Sequence, residues 1–465
     1  VITKGASERV RGLTAADFRL LVDGKEVPVE YFAEVEEGAS VAPEKPAATA
    51  TAAPAAPVPA GEAVGRSYLV YVDDSFSLLN RRNAVLDKLE QDLALLRPAD
   101  RMAVLAFDGS HITVLSRWTG DAKALKAALE QARQRPTHGD QALAYQRSLQ
   151  SEVDTVAEAP LEGDQIRAAL EALSHRVSPE ARTQLGRTAS AAAAALRGFE
   201  TPPGRKVMLL LSGAWSLSVA PQLYGPMVEA ANRLGYTVYP VDASMSDARE
   251  VTALDKLARA TGGRVMVSAS NAAFREVVAD SGSYYWLGFT PTWKADDRGH
   301  RVVVEVRRPD LTVRSRSGFS DLSKRTETAM KAESVLLFGG TADERRLIVQ
   351  LGEPHRRGRE IEVPVTLGVP VEALALTPQG KGYLAEIPLA MAAMDGDGGR
   401  ADLPASHLKV LVNTLPQKGT YARFHTVVRL RQATQRLVFT VPDPVSGRAL
   451  WGEAEFAGKD QKAAK

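Results

Sequence analysis

The clearest chemical feature is a set of three short, oxygen-bearing side chains at alternate positions. They are Asp73, Ser75 and Ser77 in the run Tyr71-Val72-Asp73-Asp74-Ser75-Phe76-Ser77. One carboxylate and two hydroxyls on a tight loop are hard ligands. Mg²⁺ prefers octahedral oxygen coordination and keeps several waters, so it suits a partial shell of this kind. The same residues would also serve a structural end, with Ser77 capping the following helix and Asp73 capping the loop. The run follows a continuous apolar stretch, 67–72, which reads as a parallel strand buried on both faces. The loop therefore falls at the carboxyl end of a strand, where open α/β sheets bind ligands.

Other chemistries are excluded or weakly signalled. The 465 residues contain no cysteine, which removes disulfides, thiolate catalysis, Cys-ligated zinc and iron–sulfur clusters, and suits cytosol and periplasm alike. The 7 histidines are scattered without metal spacing, and there is no Walker A or Rossmann glycine motif. Ser212-Gly213-Ala214-Trp215-Ser216 lacks the glycines of a nucleophile elbow. Asp395-Gly396-Asp397-Gly398-Gly399 hints at a calcium loop, but Ser406 stands where a bidentate Glu is needed, so a turn between strands is the better reading. His355-Arg356-Arg357-Gly358-Arg359 reads as a solvated basic loop. Of the aromatic run Tyr284, Tyr285 and Trp286, alternation should bury some as core. Lys and Arg total 58 against 56 Asp and Glu, so the basic excess of a nucleic-acid binder is missing. No apolar run approaches the ~18–20 residues of a membrane span.

The elements that position the Asp73 loop follow from periodicity. Residues 1–38 read as β structure, with runs 18–22 and 27–32 flanking the hairpin turn Asp23-Gly24. Val1-Ile2-Thr3 looks like a strand cut short, and any targeting signal is expected to be absent from this chain. Residues 39–65 form an Ala/Pro-rich linker. Residues 66–282 alternate strands (67–72, 102–107, 111–115, 207–211, 236–241, 265–267) with helices whose apolar residues recur every three or four positions. Leu79, Leu86, Leu89, Leu93 and Leu96 mark the first helix, and Leu125, Ala128, Leu129 and Ala132 the second. This predicts a doubly wound, Rossmann-like α/β domain with a helical insertion at about 141–205, including 165–173 and 188–196. Residues 283–340 read as a β segment (284–289, 301–306, 311–316) plus a helix near 322–337, with 1–38 expected to pack against 284–319. Residues 341–457 have the strand spacing of a β-sandwich-like domain. Residues 458–465 read as a disordered tail.

Asp73-x-Ser75-x-Ser77 after a buried strand resembles the metal-ion-dependent adhesion site of von Willebrand factor A (VWA) domains. The wider chain resembles a bacterial exported family of VWFA-related proteins. The matching stretches are Arg11-Gly12-Leu13-Thr14-Ala15-Ala16-Asp17-Phe18, Leu96-Arg97-Pro98-Ala99-Asp100-Arg101, Gly204-Arg205-Lys206, Tyr236-Thr237-Val238-Tyr239-Pro240-Val241-Asp242, Thr261-Gly262-Gly263-Arg264, Tyr284-Tyr285-Trp286-Leu287-Gly288-Phe289 and Arg314-Ser315-Arg316-Ser317-Gly318-Phe319. They occur in order over about residues 10–320. The resemblance implies a VWA fold and a divalent ion, Mg²⁺ first with Ca²⁺ or Mn²⁺ as alternatives. It also implies a protein partner whose carboxylate completes the shell, and a periplasmic or extracellular location.

Two departures bear on that ion. Where the family has a Thr after a Gly-Gly pair, this chain has Pro136-Thr137-His138-Gly139-Asp140, placing Asp140 at the Thr position and Thr137 three residues early. Where strand four of the family ends in Ser/Thr-Asp-Gly, this chain has Ser212-Gly213-Ala214, and the supporting carboxylate is missing. Losing a second layer of support typically weakens metal binding about tenfold or more. The expected metal set is Asp73, Ser75, Ser77, Asp140 and Thr137. The expected function is a non-enzymatic protein-interaction or adhesion module using the strand-end face, without nucleic acid or a membrane span. The alternative is a metal-free structural subunit of a larger assembly. A hydrolase pairing Asp73 with Asp140 stands third.

Overall fold

The computed structural model describes residues 1–4, 8–41, 61–141, 179–198, 204–213, 223–243, 253–267, 272–292, 294–340, 346–358, 360–380, 382–396, 400–414, 417–442 and 449–458, with single positions at 144, 151, 155, 165 and 344. Most of the linker, most of the expected insertion, the Asp397-Gly398-Gly399 part of the calcium-loop motif and residues 459–465 lie outside the described residues. The chain divides into two compact units. The first holds Val1–Leu196, Thr201–Trp293 and Gly299–Ser320; the second holds Arg197–Glu200, Lys294–Arg298 and Asp321–Lys465.

At the centre of the first unit is a six-stranded sheet in the order Met266–Val267, Tyr236–Asp242, Arg205–Ser212, Arg66–Asp73, Arg101–Phe107, Ile112–Thr119. All neighbours are parallel except the Ile112–Thr119 edge, which runs antiparallel. This is a doubly wound arrangement, as the strand–helix alternation predicts. Every residue of Arg66–Asp73 is buried, because helices cover the sheet. On one face Tyr68, Val70, Val72, Val104, Leu209 and Val241 join one core with residues of the helices Leu79–Gln91, Ala122–Arg133 and Ala273–Gly282. The alternate residues Leu69, Tyr71, Leu105, Met208 and Leu210 are equally buried. The helices Gly225–Leu234 and Ala253–Ala260 pack on Tyr236–Asp242. In the helix Pro179–Gly198 the run Ala191–Leu196 is buried.

Three small antiparallel sheets tie the first forty residues to the strands after 283. Tyr31–Glu36 pairs with Tyr284–Gly288, Phe18–Val22 with Gly299–Val306, and Ile2–Lys4 with Leu311–Val313. Asp23 (φ 50°) and Gly24 (φ 78°) close the expected hairpin with both central residues left-handed, the geometry that two-residue hairpin turns favour. The second arm, however, is only Lys25–Val27. Pro28 follows; a proline has no N–H to donate to a ladder, and the chain resumes as Tyr31–Glu36 in a different sheet.

In the second unit, two sheets built from Ile348–Leu351, His355–Arg357, Glu360–Pro370 and Tyr421–Leu430 on one side, and Thr377–Gln379, Gly382–Asp395, Arg400–Val412, Gln435–Pro442 and Ala449–Phe456 on the other, share one core. Val363, Val365 and Leu367 from the first meet Leu389, Leu437 and Phe439 from the second, giving the expected sandwich-like packing. The helix Lys324–Phe338 belongs to this unit and not, as the sequence grouping had it, with the strands before it. Its Ala332, Val335 and Leu336 bury against Ala390, Val438 and Trp451. Among the described residues no helix is long and apolar enough to cross a membrane.

Candidate functional site

Parallel register carries the Asp73 loop to the sheet's carboxyl edge. Val72 lies opposite Leu211 and Asp73 opposite Phe107. The loop ends are stitched together by main-chain bonds: Asp74 N to Phe107 O at 2.9 Å, Leu78 N to Ala243 O at 3.1 Å and Ala243 N to Ser212 O at 2.8 Å. The segment after the second helix closes over the loop, with His138 N donating to Asp74 O at 2.8 Å and Gly139 N to Ser77 O at 3.2 Å. A Cβ on Gly139 would come within 2.4 Å of Ser77 O, so only glycine allows this approach. Gly139→Ala should lower stability by about 1–3 kcal/mol, the usual cost of overpacking. Thermal unfolding would show it as a fall in Tm with the far-UV spectrum retained.

Asp73 is fully buried and both its oxygens are engaged inside the protein. Oδ1 accepts from Ser75 N at 3.1 Å, a loop-capping bond, and Oδ2 accepts from Ser212 Oγ at 2.5 Å. Burial pushes its carboxyl up to about 7, against the downward pull of these donors. The Ser75 hydroxyl is near enough to favour the anion slightly, yet it is buried and closes no hydrogen bond. The Ser77 hydroxyl donates to Leu211 O at 3.5 Å. The following helix starts at Leu79 with Leu78 as its N-cap and no side-chain cap, so Ser77 does not cap it.

The adjacent Asp74 has the opposite role. Its Oδ1 lies 2.6 Å from Arg82 Nη1, with both side chains fully buried, and its Oδ2 lies 2.6 Å from Arg135 Nε. Arg82 also donates to Arg133 O and Arg135 O at 3.0 and 2.8 Å. Burial raises the Asp74 carboxyl, and the two guanidiniums oppose that shift. Neither Arg82 nor Arg135 is expected here from sequence, and Ser212 enters there only as the residue before the missing carboxylate. A signal for Arg82 exists: it stands four residues before Leu86 and seven before Leu89, on the stripe that faces the core, while Leu79, assigned to that stripe, is 45% exposed. An arginine at a core position needs a buried acid to pair with it.

Of the five residues expected to hold a metal, the structure brings Asp73, Ser75 and Ser77 onto one loop and lays the backbone of 137–140 beside them. Thr137 is half-buried, and the Asp140 carboxylate is exposed, with no hydrogen bond or ion pair to a described residue. As placed, this set does not make a shell for a divalent ion. The Asp73 oxygens accept from Ser212 and Ser75 N, the Ser77 hydroxyl is turned to the main chain, and the Ser75 hydroxyl is buried and unengaged while Asp140 lies exposed. Two guanidiniums already stand beside the loop.

No family model and no curated protein matches the chain. Among solved structures it is similar to a von Willebrand factor type A protein from Catenulispora acidiphila, with 12% identity over 96% of this chain and 74% of that one (TM-score 0.29). It is also similar to the vWF domain of the type V pili tip protein Mfa5 from Porphyromonas gingivalis, with 12% identity over 47% and 95% (TM-score 0.23). A third is the PilB minor pilin from Streptococcus sanguinis, with 8% identity over 56% and 79% (TM-score 0.27). At these scores no residue role is carried across, and the geometry above stands on its own.

Proposed function

We propose that the chain is a non-enzymatic protein-interaction module that offers the carboxyl edge of its doubly wound sheet to a protein partner without a bound metal ion. The observation that carries this reading is the inward-turned Asp73 carboxylate, satisfied by Ser212 and Ser75 N, beside an Asp74 neutralised by Arg82 and Arg135. A loop whose polar atoms are bonded within the fold keeps its shape for docking without an ion. In this reading the module acts outside the cytoplasm and performs no catalysis.

Thermal melts in EDTA and in millimolar Mg²⁺ test it directly. An ion that binds only the folded state stabilises by mass action, about 2.7 kcal/mol at one hundred times its Kd. The expected result is two coincident melts. A Tm several degrees higher in Mg²⁺, lost in Asp73→Ala, would replace this reading with the ion-dependent adhesion site. Capture of a partner from native extract should likewise survive EDTA.

A further inference from the structure

At the opposite end of the same strands lies a cavity of about 400 Å³ within the first unit, between the amino ends of the central sheet and the small β-sheets. That volume is in the range of small-molecule sites. Arg205, Lys206 and Arg316 line it together with Tyr284, Trp286 and Phe319, and among the described residues no carboxylate lines it. Two other arginines at its wall are already paired: Arg314 with Asp280 at 2.6 Å and Arg233 with Glu229 at 3.3 Å. Arg205, Lys206 and Arg316 have no ion pair with any described residue. Arg205 spends one bond on Thr237 Oγ1 (3.1 Å) and stacks 4.5 Å from the Tyr284 ring centroid, while its Nε is buried without a partner. Arg316 has one long bond, to Asn232 O at 3.5 Å. It lies against Gly235, where a Cβ would come within 3.1 Å of its Nη1.

Arg316 opposes both Arg205 and Lys206. Arg316 is exposed, yet the protein around it and the nearby Arg205 lower its guanidinium. Burial, and then Arg316, lower Lys206. Like charges held together without a counter-charge cost free energy that an anion seated among them would recover. Guanidiniums present paired donors suited to carboxylate and phosphate oxygens, and the aromatic wall supplies an apolar complement.

We propose that this cavity binds a small organic anion, its carboxylate or phosphate head held by Arg205, Lys206 and Arg316 and its apolar body packed on Tyr284, Trp286 and Phe319. The proposal is independent of the strand-end reading, since it uses none of those residues. Isothermal titration of the full chain with phenyl phosphate, phenylacetate, inorganic phosphate and the neutral benzyl alcohol tests it. Saturable binding is expected for the two aromatic anions, weaker binding for inorganic phosphate and none for benzyl alcohol in the same range. Arg316→Gln and, separately, Arg205→Gln should each weaken aromatic-anion binding about tenfold, the loss of one charge-assisted bond, with Tm values showing that they fold. Whichever of phenyl phosphate and phenylacetate binds more tightly identifies the head group. Absence of saturable binding by either anion to the wild-type chain at millimolar concentration would overturn the proposal. So would equal binding of benzyl alcohol, or unchanged affinity in both folded variants.

Discussion

Asp74→Ala should cost the protein about 3–5 kcal/mol of stability, the loss typical when one member of a buried ion pair is removed. The reason is what remains. Arg82 is fully buried beneath the loop, and without Asp74 its charge is left with neutral oxygens only, Asn83 Oδ1 and two main-chain carbonyls. A guanidinium does not shed its proton at accessible pH, so the penalty is unavoidable. Arg82→Met should cost less, because Asp74 keeps Arg135 at 2.6 Å and the methionine fills most of the vacated apolar space. Combining Asp74→Leu with Arg82→Met should recover much of the loss. Urea unfolding of the wild type, the single variants and the double variant measures all of this. An Asp74→Ala variant within about 1 kcal/mol of wild type would show that the pair is not the anchor of the loop that its burial and distances imply.

The doubly wound fold is legible in the sequence because its strands are continuous apolar runs and its helices repeat every three or four residues, patterns set by burial on two faces and on one. The Asp23-Gly24 turn is legible because its chemistry is local. Pairing that depends on distant residues is not. Val27–Phe32 looks like one strand, yet Pro28 splits it between two sheets. In the second unit Gly382–Asp395 is read as far as residue 388, but it continues through a register shift between Leu389 and Met391 to pair with a second strand. The candidate site divides in the same way. Asp73, Ser75 and Ser77 stand out by spacing. Ser212, which satisfies Asp73, lies 139 positions away, and sequence shows only that a carboxylate is missing after it. Arg205 and Arg316 are far apart in the chain, and their shared cavity exists only once the small sheets fold back against the central one.

Asp73→Asn should stabilise the protein at pH 8, by up to about 4 kcal/mol, and change it little near pH 4. Burial raises the folded-state carboxyl from 3.8 to about 7. Between those values the native state retains a proton that the unfolded chain has released, so stability falls as pH rises through that window. Above about 7 the full penalty is present, and a shift of about three units corresponds to about 4 kcal/mol. Asparagine keeps an oxygen for Ser75 N and turns an amide toward Ser212, so the loop geometry survives while the buried charge is gone. The direction is the informative part, because an aspartate that served a bound ion would make the same change destabilising whenever that ion is supplied. Urea unfolding of wild type and variant at pH 4 and pH 8, each with EDTA and with millimolar Mg²⁺, separates the two. A variant less stable than wild type at pH 8 in EDTA would mean that the Ser212 and Ser75 bonds outweigh the cost of burying the charge. A variant less stable only in Mg²⁺ would restore the ion to the strand-end loop. A gain at pH 8 in both conditions would leave Asp73 as a structural carboxylate that the fold tolerates only in part, beside an Asp74 that it cannot do without.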